Sequence, residues 1–539
     1  MGLSYTGVQK KRHSIRKGEN GMHKQSRHWV ILPLLIIAGI GTILQYRMMR
    51  EGISLWEDSY DYITAAINLI DLGKYGRIDG FGDFKPLTHF PPLYPFLLAA
   101  PYSMSIDILE AARWISSIFF GINLFLIGWT IRLISGSSGW AIFGALLGCI
   151  SESLINTHLW ALSEPPFFTF SMLTLLALNT FFNKVDSRRW LMIAGVLASL
   201  ATLTRFAGFA LIGACMMALL ILPDDQWLRK IRSALIFLSI ALLPNIVFMI
   251  RNYLQANTFT DDPGIAWHPP TIEQWQDLSR ITLNWILPDV IVENLSGAFT
   301  LSVLLVCLGI LIIVIALGYK RYWMSSFQKN LWNRHFLSLH LIYLLAYSGL
   351  FLATVFIWRR ITPADNRLIS PIYLSTVILI SSIAGVFWKS SGRISRSALL
   401  ALIVLLMSIQ GLRYRNIFRL TPQEAYGLSA PKWRTSETLS YIATFDGGRI
   451  YSNEIQAIYF HVNRNAIFLP TYENPATGVR RPDYERNLVN MQRNLRTTGG
   501  LLVIFYPERL EEQYLEALTE NLIIIETFPD GVIYGYLEE

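Results

Sequence analysis

Charged residues are scarce in this chain of 539 residues. Asp, Glu, Lys and Arg make up only 16% of the sequence, against roughly a quarter in a typical soluble domain. Apolar residues, in contrast, make up 52%. A chain so poor in charge cannot cover a large surface in water, which excludes a disordered protein, a collagen-like protein and an ordinary cytosolic enzyme. The composition predicts an α-helical protein with many membrane spans.

Cysteine is also scarce, and the motifs of common catalytic sites are absent from the sequence. The three cysteines, Cys149, Cys215 and Cys307, all lie within apolar runs, so we expect no disulfide framework. The sequence contains no metal-binding motif and no nucleophile elbow. Any chemistry must therefore come from individual acidic, basic and histidine side chains.

The charges that are present are unevenly distributed. Of the 84 charged residues, 29 lie in the last 127 positions, which predicts a membrane domain at 29–412 and an extracytoplasmic domain at 413–539. The net charge of +8 would suit nucleic-acid binding, but positive loops beside membrane spans explain it with fewer assumptions. We therefore expect membrane lipids and no nucleic acid as partners.

About eleven apolar runs are long enough to cross a bilayer, which takes about 20 helical residues. Their approximate bounds are Trp29–Tyr46, Ala111–Ser135, Trp140–Thr157, Pro165–Phe182, Trp190–Leu203, Phe206–Leu222, Ser233–Tyr253, Leu301–Leu317, Phe336–Trp358, Leu368–Trp388 and Ser397–Leu412.

Basic residues predict how these spans are oriented. Residues 1–28 carry seven Lys and Arg residues and are predicted to be a cytoplasmic tail. With that start, every predicted inner loop holds at least one positive residue, and the C-terminal domain lies outside the plasma membrane. The outer loop 359–367 is the exception, because it carries three arginines.

Two regions outside the spans show recognisable secondary structure. The first outer loop, 47–110, contains an amphipathic pattern at Tyr60–Leu72 and a short apolar segment at Phe96–Tyr102, which predict helices that lie on the membrane surface. Lys74–Lys85 is predicted to be a loop. The tail predicts a small α/β domain with one helix at Glu511–Thr519. Its expected strands are Arg449–Ser452, Ala466–Leu469, Leu501–Tyr506, Leu522–Thr527 and Val532–Tyr536.

Three acidic residues of the outer loops are candidates for the chemistry. Glu57 and Asp58 precede the first surface helix, where one of them could act as a general base or both could simply stabilise the helix N-terminus. Glu164, in Ser163-Glu164-Pro165, could equally cap a helix or serve a site at the membrane boundary. The residues alone leave both alternatives open.

Four arginines are candidates for binding an anion on the same side of the membrane. Guanidinium groups suit a phosphate or diphosphate, but they could also extend to lipid headgroups or pair with Asp365. Their place on the outer side, against the positive-inside rule, favours anion binding. The four are Arg205, Arg359, Arg360 and Arg367. His89 and His268, each beside prolines in an outer loop, are further binding candidates, although a lone histidine is more often structural.

Several short motifs occur in order along residues 29–385. They are Asp58-Ser59-Tyr60, Phe90-Pro91-Pro92-Leu93-Tyr94-Pro95, Ala111-Ala112-Arg113, Ser163-Glu164-Pro165, Thr204-Arg205 and Arg367-Leu368-Ile369-Ser370-Pro371. Together they resemble the GT-C glycosyltransferases. The resemblance is closest to the bacterial branch related to protein O-mannosyltransferases and to the aminoarabinose transferases that modify lipid A.

The resemblance implies a function and a role for each candidate residue. Members of the family transfer a sugar, usually with inversion, from a polyprenyl-phosphate carrier to a lipid, glycan or protein acceptor on the outer face. Asp58 would be the general base, and the four arginines would hold the donor phosphate. Glu57 precedes this acid, whereas many members have the second acid after it, which leaves the role of Glu57 in doubt. The implied acceptor-side or supporting residues are Glu57, Glu164, His89 and His268.

Two questions about the function stay open at this stage. Some GT-C enzymes use a divalent metal, but Glu57, Asp58 and Glu164 are the only obvious set of ligands, so we expect no cofactor. A transporter or lipid flippase is the alternative function. Transporters usually carry acids at mid-membrane in paired halves, whereas the acids and arginines here lie at the outer boundary.

Overall fold

The computed structural model describes most of the chain. The described residues are 29–183, 188–223, 226–260, 267–306, 309, 331–357, 365–390, 392–420, 426–474 and 479–536. The predicted cytoplasmic tail, Cys307, Arg359 and Arg360 lie outside them.

Within the described residues, seven helices are long and apolar enough to cross a membrane. They are Ile31–Met48, Ile108–Ser135, Glu164–Asn183, Trp227–Ala256, Leu331–Ile357, Asn366–Ser390 and Arg393–Leu420. An eighth span is formed if the bent pair Ser138–Cys149 and Glu152–His158, which meet at 56°, counts as one. The prediction of an α-helical, multi-span membrane protein is confirmed.

Three of the approximately eleven predicted spans are not among these helices. Trp190–Leu203 and Phe206–Leu222 correspond to the shorter helices Arg188–Thr204 and Gly208–Ile221, of 17 and 14 residues. Most of Leu301–Leu317 lies outside the described residues. Apolar length therefore predicts helices well here, but it does not distinguish a full span from a short helix packed inside the bundle.

Glycines allow the first two long helices to pack closely. A Cβ on Gly121 would lie 2.1 Å from Oγ1 of Thr42, and one on Gly128 would lie 2.4 Å from Cδ2 of Leu34. Without side chains at these positions, Ile31–Met48 packs directly against Ile108–Ser135, as is common between membrane helices. This contact holds the first span, and the loop that follows it, against the centre of the bundle.

The first loop forms two helices, Glu57–Asp71 and Leu93–Tyr102, as the sequence predicts. The prediction of an irregular loop at Lys74–Lys85 is wrong, because β1 (Gly76–Ile78) and β2 (Phe84–Pro86) form an antiparallel hairpin there. The charged side chains of the hairpin leave no apolar pattern that would predict strands. One of them pairs with the helix Glu57–Asp71, because Nη1 of Arg77 donates to Oδ1 of Asp61 at 2.8 Å. Further helices, Ile272–Leu283 and Asp289–Glu293, lie in the later loop.

The C-terminal sheet region, defined here as residues 426–474 and 479–536, contains all five predicted strands. They are β3 (Ile450–Ser452), β4 (Ile467–Phe468), β7 (Leu501–Phe505), β8 (Ile523–Phe528) and β9 (Gly531–Gly535). They form one mixed sheet in the order β4-β3-β7-β9-β8, with a separate two-stranded pair, β5 (Glu473–Asn474) and β6 (Val479–Arg480). The helices are Pro431–Arg434, Glu437–Thr444, Ile455–Val462, Tyr484–Thr498 and the predicted Glu512–Thr519.

The two faces of this sheet bury different neighbours. Val503 and Phe505 belong to a core that is continuous with that of the membrane helices. Leu502 and Ile504, which alternate with them along β7, pack in a second core with Leu488 of the helix Tyr484–Thr498. Alternation along one buried strand therefore places one face toward the membrane bundle and the other toward an outer layer of helices.

The sheet region is joined to the first loop by backbone pairing. The N–H of Leu428 donates to the carbonyl oxygen of Leu55 at 3.0 Å, and Leu55 pairs with Gly427 as an isolated parallel bridge. Close by, the ring of Tyr60 meets that of Tyr459 edge-on at 5.1 Å. The term loop end is used below for the end of the bundle at which Leu55, Tyr60 and Gly427 lie.

Gly427 is expected to be essential for this junction. It has φ = +64°, and an added Cβ would lie 2.1 Å from the carbonyl oxygen of Leu55. Gly427→Ala should therefore cost more than the ~1–2 kcal/mol of a left-handed residue alone and make the sheet region sensitive to protease at lower temperature. Gly499→Ala is the matched control, because Gly499 has φ = +58° but open space around it. Equal losses in melting temperature for the two variants would contradict the role of this contact.

Candidate functional site

The helix Glu57–Asp71 carries the first candidate residues and begins with a local cap. The backbone N–H of Trp56 donates to Oγ of Ser59 at 3.0 Å, and the N–H of Ser59 donates to the carbonyl oxygen of Trp56 at 3.0 Å. Glu57 and Asp58 lie in the first turn, where negative charge is favourable. The helix-end interpretation of these acids is thus compatible with the structure, but it does not account for the contacts of Asp58.

Asp58 forms an ion pair with an arginine 309 residues later in the chain. Nη1 of Arg367 lies 3.2 Å from Oδ2 of Asp58. Asp365 holds the same arginine twice, since its Oδ2 accepts from Nε at 2.6 Å and its Oδ1 accepts from the backbone N–H at 2.9 Å. Arg367 therefore bridges two carboxylates, and its side chain is fixed before any ligand binds.

Glu164 and Arg205 form a second and deeper ion pair. Nη1 of Arg205 lies 2.5 Å from Oε1 of Glu164, and the side chains are 18% and 1% exposed. A buried carboxylate is costly unless a cation compensates it. Glu164 also opens the helix Glu164–Asn183, as the helix-start interpretation predicts, while its role in a functional site stays a prediction.

Two hydroxyl groups lie beside the Glu164–Arg205 pair, and one of them belongs to the helix that carries Asp58. The hydroxyl of Tyr62 lies 3.1 Å from Oγ of Ser163, which also accepts from Nη1 of Arg205 at 3.4 Å. Tyr62 follows Asp58 by four residues and therefore lies on the same face of its helix. The charges of Glu164 and Arg367 also act on each other. The acids and arginines form one cluster with three negative and two positive groups.

Sequence reasoning identified the main charges but missed their hydroxyl partners and one further acid. Spacing of four residues from Asp58 was the signal that could have indicated Tyr62. Asp61 was also overlooked. Burial raises the pKa of its carboxyl, and the positive charge of its ion-pair partner Arg77 offsets only part of that rise. The pair at 2.8 Å fastens the β1–β2 hairpin to the helix that carries Asp58.

Glu57, in the first turn of its helix, is close enough to Glu454 of the C-terminal sheet region for their charges to interact. The pKa of the Glu454 carboxyl is raised, mainly by burial. The positive charge of Lys432 opposes this rise, and the negative charge of Glu57 adds to it. Glu454 immediately precedes the helix Ile455–Val462, which packs on the helix of Asp58 through Tyr60. Glu57 thus lies at the rim between the first loop and the sheet region, which suits a supporting role.

The remaining candidates are less closely connected to the cluster. His89 meets Phe90 edge-on at 4.7 Å, and Phe90 in turn contacts Tyr62 at 4.7 Å. The backbone N–H of His268 donates to the carbonyl oxygen of Phe356 at 2.9 Å. Acceptor binding by either histidine stays a prediction. Among the described residues, no three His, Cys, Asp or Glu side chains group as metal ligands.

The chain is similar in sequence and in fold to known proteins. Residues 69–260 match the family described as dolichyl-phosphate-mannose-protein mannosyltransferase. The structure of ArnT from Cupriavidus metallidurans bound to undecaprenyl phosphate is similar over 94% of this chain and 97% of that chain, with a TM-score of 0.59 and 13% identity. The chain has the GT-C fold. The predicted resemblance is confirmed at this level.

A second GT-C structure is similar with a slightly lower TM-score. It is the archaeal oligosaccharyltransferase AglB from Archaeoglobus fulgidus, in complex with an inhibitory peptide and a dolichol-phosphate, with a TM-score of 0.53 and 13% identity. The match covers 91% of this chain and 71% of that one. No curated protein sequence matches the chain. The GT-C fold is thus recognisable from structure where sequence identity is low.

Proposed function

We propose that this protein is an integral membrane glycosyltransferase with a polyprenyl-phosphate-linked sugar as donor. The observation that carries the proposal is the pairing of Asp58 with Arg367 at 3.2 Å at the loop end of a GT-C fold. The family match and the solved structures support a lipid-linked donor. They favour an enzyme over the transporter or flippase alternative, since the matched proteins are glycosyltransferases.

The mechanism we propose is an inverting displacement with Asp58 as general base. The hydroxyl oxygen of the acceptor forms a bond to the anomeric carbon of the sugar, and Asp58 takes the hydroxyl proton. The bond from that carbon to the carrier phosphate breaks, and the phosphate leaves with the bonding electrons. Arg367 and Arg205 stabilise the negative charge of the leaving phosphate. The acceptor, a lipid, glycan or protein, lies on the extracytoplasmic face.

The ion pairs of the site suggest how the donor is received. In the structure each arginine already has a carboxylate partner, and Asp365 keeps Arg367 oriented through two hydrogen bonds. A phosphate that binds Nη1 of Arg367 would take the place of Asp58. Asp58 would then be free to meet the acceptor hydroxyl.

A direct test uses membranes that contain the full chain and a radiolabelled polyprenyl-phosphate sugar. We expect the label to leave the carrier phosphate only when the chain is present, and to appear on an acceptor with the opposite anomeric configuration. A label that moves across the membrane while still on its carrier would instead favour the flippase alternative and contradict the proposal.

Arg367→Ala should weaken donor binding more than any other property. Loss of a charged hydrogen bond is worth about 1.5–3 kcal/mol, so we expect the donor concentration at half-maximal rate to rise roughly 10- to 100-fold. Arg113→Ala is a matched control, because Arg113 pairs with Glu110 at 3.2 Å on another helix. Equal donor affinity in the Arg367→Ala and wild-type proteins would exclude the phosphate-binding role.

A further inference from the structure

Three aromatic rings lie together at the loop end, beside the charged cluster. The rings of Trp56 and Trp160 meet edge-on with centroids 5.3 Å apart, and Trp160 stacks on Tyr426 at 6.4 Å. Trp56 and Tyr426 are 44% and 39% exposed. We call these three residues the aromatic triad. These two rings are therefore accessible to a ligand beside the charged groups.

The backbone holds the aromatic triad in place. Ser54 forms a parallel bridge with Trp160, and Leu55 forms one with Gly427. The triad residues are therefore at, or next to, three paired segments: the stretch that follows the first span, the approach to the helix Glu164–Asn183 and the C-terminal sheet region. Rings that are fixed before binding lose little conformational entropy when a ligand stacks on them.

The aromatic triad also adjoins the residues that we assign to catalysis. Trp56 precedes Asp58 by two positions, and the guanidinium carbon of Arg367 lies 5.4 Å from the centre of the Trp56 ring. Arg367 in turn pairs with Asp58. Flat apolar faces, a carboxylate and a guanidinium group therefore converge within a few ångströms of each other.

We propose that the aromatic triad is a subsite for a pyranose ring. A sugar presents apolar C–H faces, which suit aromatic rings, and hydroxyl groups, which suit carboxylates and guanidinium groups. A lipid tail fits worse, because it would leave the neighbouring charges desolvated without new hydrogen bonds. The inference rests on the proposed function only for the source of the ring, which is either the donor sugar or a glycan acceptor.

A structural alternative is that Trp56 merely anchors the protein at the membrane interface, where tryptophan is enriched. Trp114 provides the matched comparison. It is 45% exposed and stacks on Tyr46 at 4.3 Å, in the long helix Ile108–Ser135, but it belongs to neither the aromatic triad nor the charged cluster. An anchoring role would make the two tryptophans equivalent.

The test measures saturation-transfer NMR signals of methyl glucopyranoside, methyl mannopyranoside and methyl galactopyranoside on the full chain in lipid nanodiscs. We expect the ring protons of at least one pyranoside to receive saturation from the wild-type protein. Trp56→Ala should weaken that binding about tenfold or more, the loss that corresponds to about 1.4 kcal/mol. Trp56→Phe should restore part of it, and Trp114→Ala should leave it unchanged.

A second arm of the experiment identifies the source of the ring. Saturating polyprenyl-phosphate sugar is added before the pyranoside. If the pyranoside signal disappears, the triad holds the donor sugar; if the signal persists, the triad holds a sugar of the acceptor. Either result supports the subsite.

Two results would overturn the subsite. One is no saturation transfer from the wild-type protein to any of the three pyranosides. The other is an equal loss in the Trp56→Ala and Trp114→Ala variants, which would favour interfacial anchoring. Pyranoside binding requires no turnover, so it stays measurable in a protein without transfer activity. A failure of the proposed function and a failure of the subsite are therefore distinguishable.

Discussion

Asp58→Asn is expected to reduce the rate of sugar transfer by about 10²- to 10⁴-fold, the usual contribution of a general base. Asparagine keeps the shape of aspartate but cannot take the proton of the acceptor hydroxyl. Donor binding should not weaken, since Arg367 retains Asp365 as a partner at 2.6 Å and loses the carboxylate that the donor phosphate displaces. The measurement is the initial rate of label transfer at saturating donor, together with the donor concentration at half-maximal rate.

The control for this prediction is Asp71→Asn, at the other end of the same helix. Asp71 accepts a hydrogen bond from the hydroxyl of Tyr102 at 3.2 Å and is exposed, so its loss should change neither rate nor stability appreciably. Glu57→Gln addresses the neighbouring acid, for which we expect a smaller loss than for Asp58→Asn. Near-normal transfer by a folded Asp58→Asn protein would refute the assignment of the base.

Glu164→Gln should have the largest effect on stability. The substitution leaves Arg205, whose side chain is 18% exposed, without a compensating charge. Removal of one member of a buried ion pair typically costs about 3–5 kcal/mol. We expect a marked fall in the melting temperature in detergent, and a loss of transfer because Arg205 can no longer be held beside Ser163.

Two comparisons make the Glu164 prediction specific. Asp277→Asn removes an acid from an exposed pair, with Arg280 43% and Asp277 57% exposed, and should cost at most about 1 kcal/mol. In the double variant Glu164→Gln, Arg205→Gln the unpaired charge is absent, so the combined loss should be smaller than the sum of the two single losses. Additive losses would show that the two side chains do not stabilise each other.

The sequence predicted much of the fold because its signals are local. A run of about 20 apolar residues needs no knowledge of its neighbours to be recognised as a helix, and the short apolar runs of the tail, such as Leu501–Tyr506, were recognised as strands in the same way. The β1–β2 hairpin was missed because each of its strands has only 3 residues, one of them charged, and so shows no alternating apolar pattern. The short helix Gly208–Ile221 was predicted to be a full span, because apolar composition alone does not show where a helix begins and ends.

The candidate site was predictable in its charges but not in its pairings. Each of Asp58, Glu164, Arg205 and Arg367 was recognisable as a charge beside a membrane span. Which carboxylate meets which arginine depends on how distant helices pack, and no spacing in the chain encodes that. Asp365 illustrates the difference: it was considered only as an alternative partner for the arginines, yet it orients Arg367 while Asp58 shares the same guanidinium group.

The junction between Leu55 and Gly427 has a consequence for biosynthesis. The segment that leads to Asp58 is made early, but its backbone partner at Gly427 is translated only after nearly all the spans. At about 5–20 residues per second, the wait between the two lasts about 20–70 s. For most of that time the ribosome-bound chain carries Asp58 without Arg367, and for all of it the chain lacks the sheet region. The proposed transfer activity would therefore appear only after the segment that follows the last membrane helix has been made.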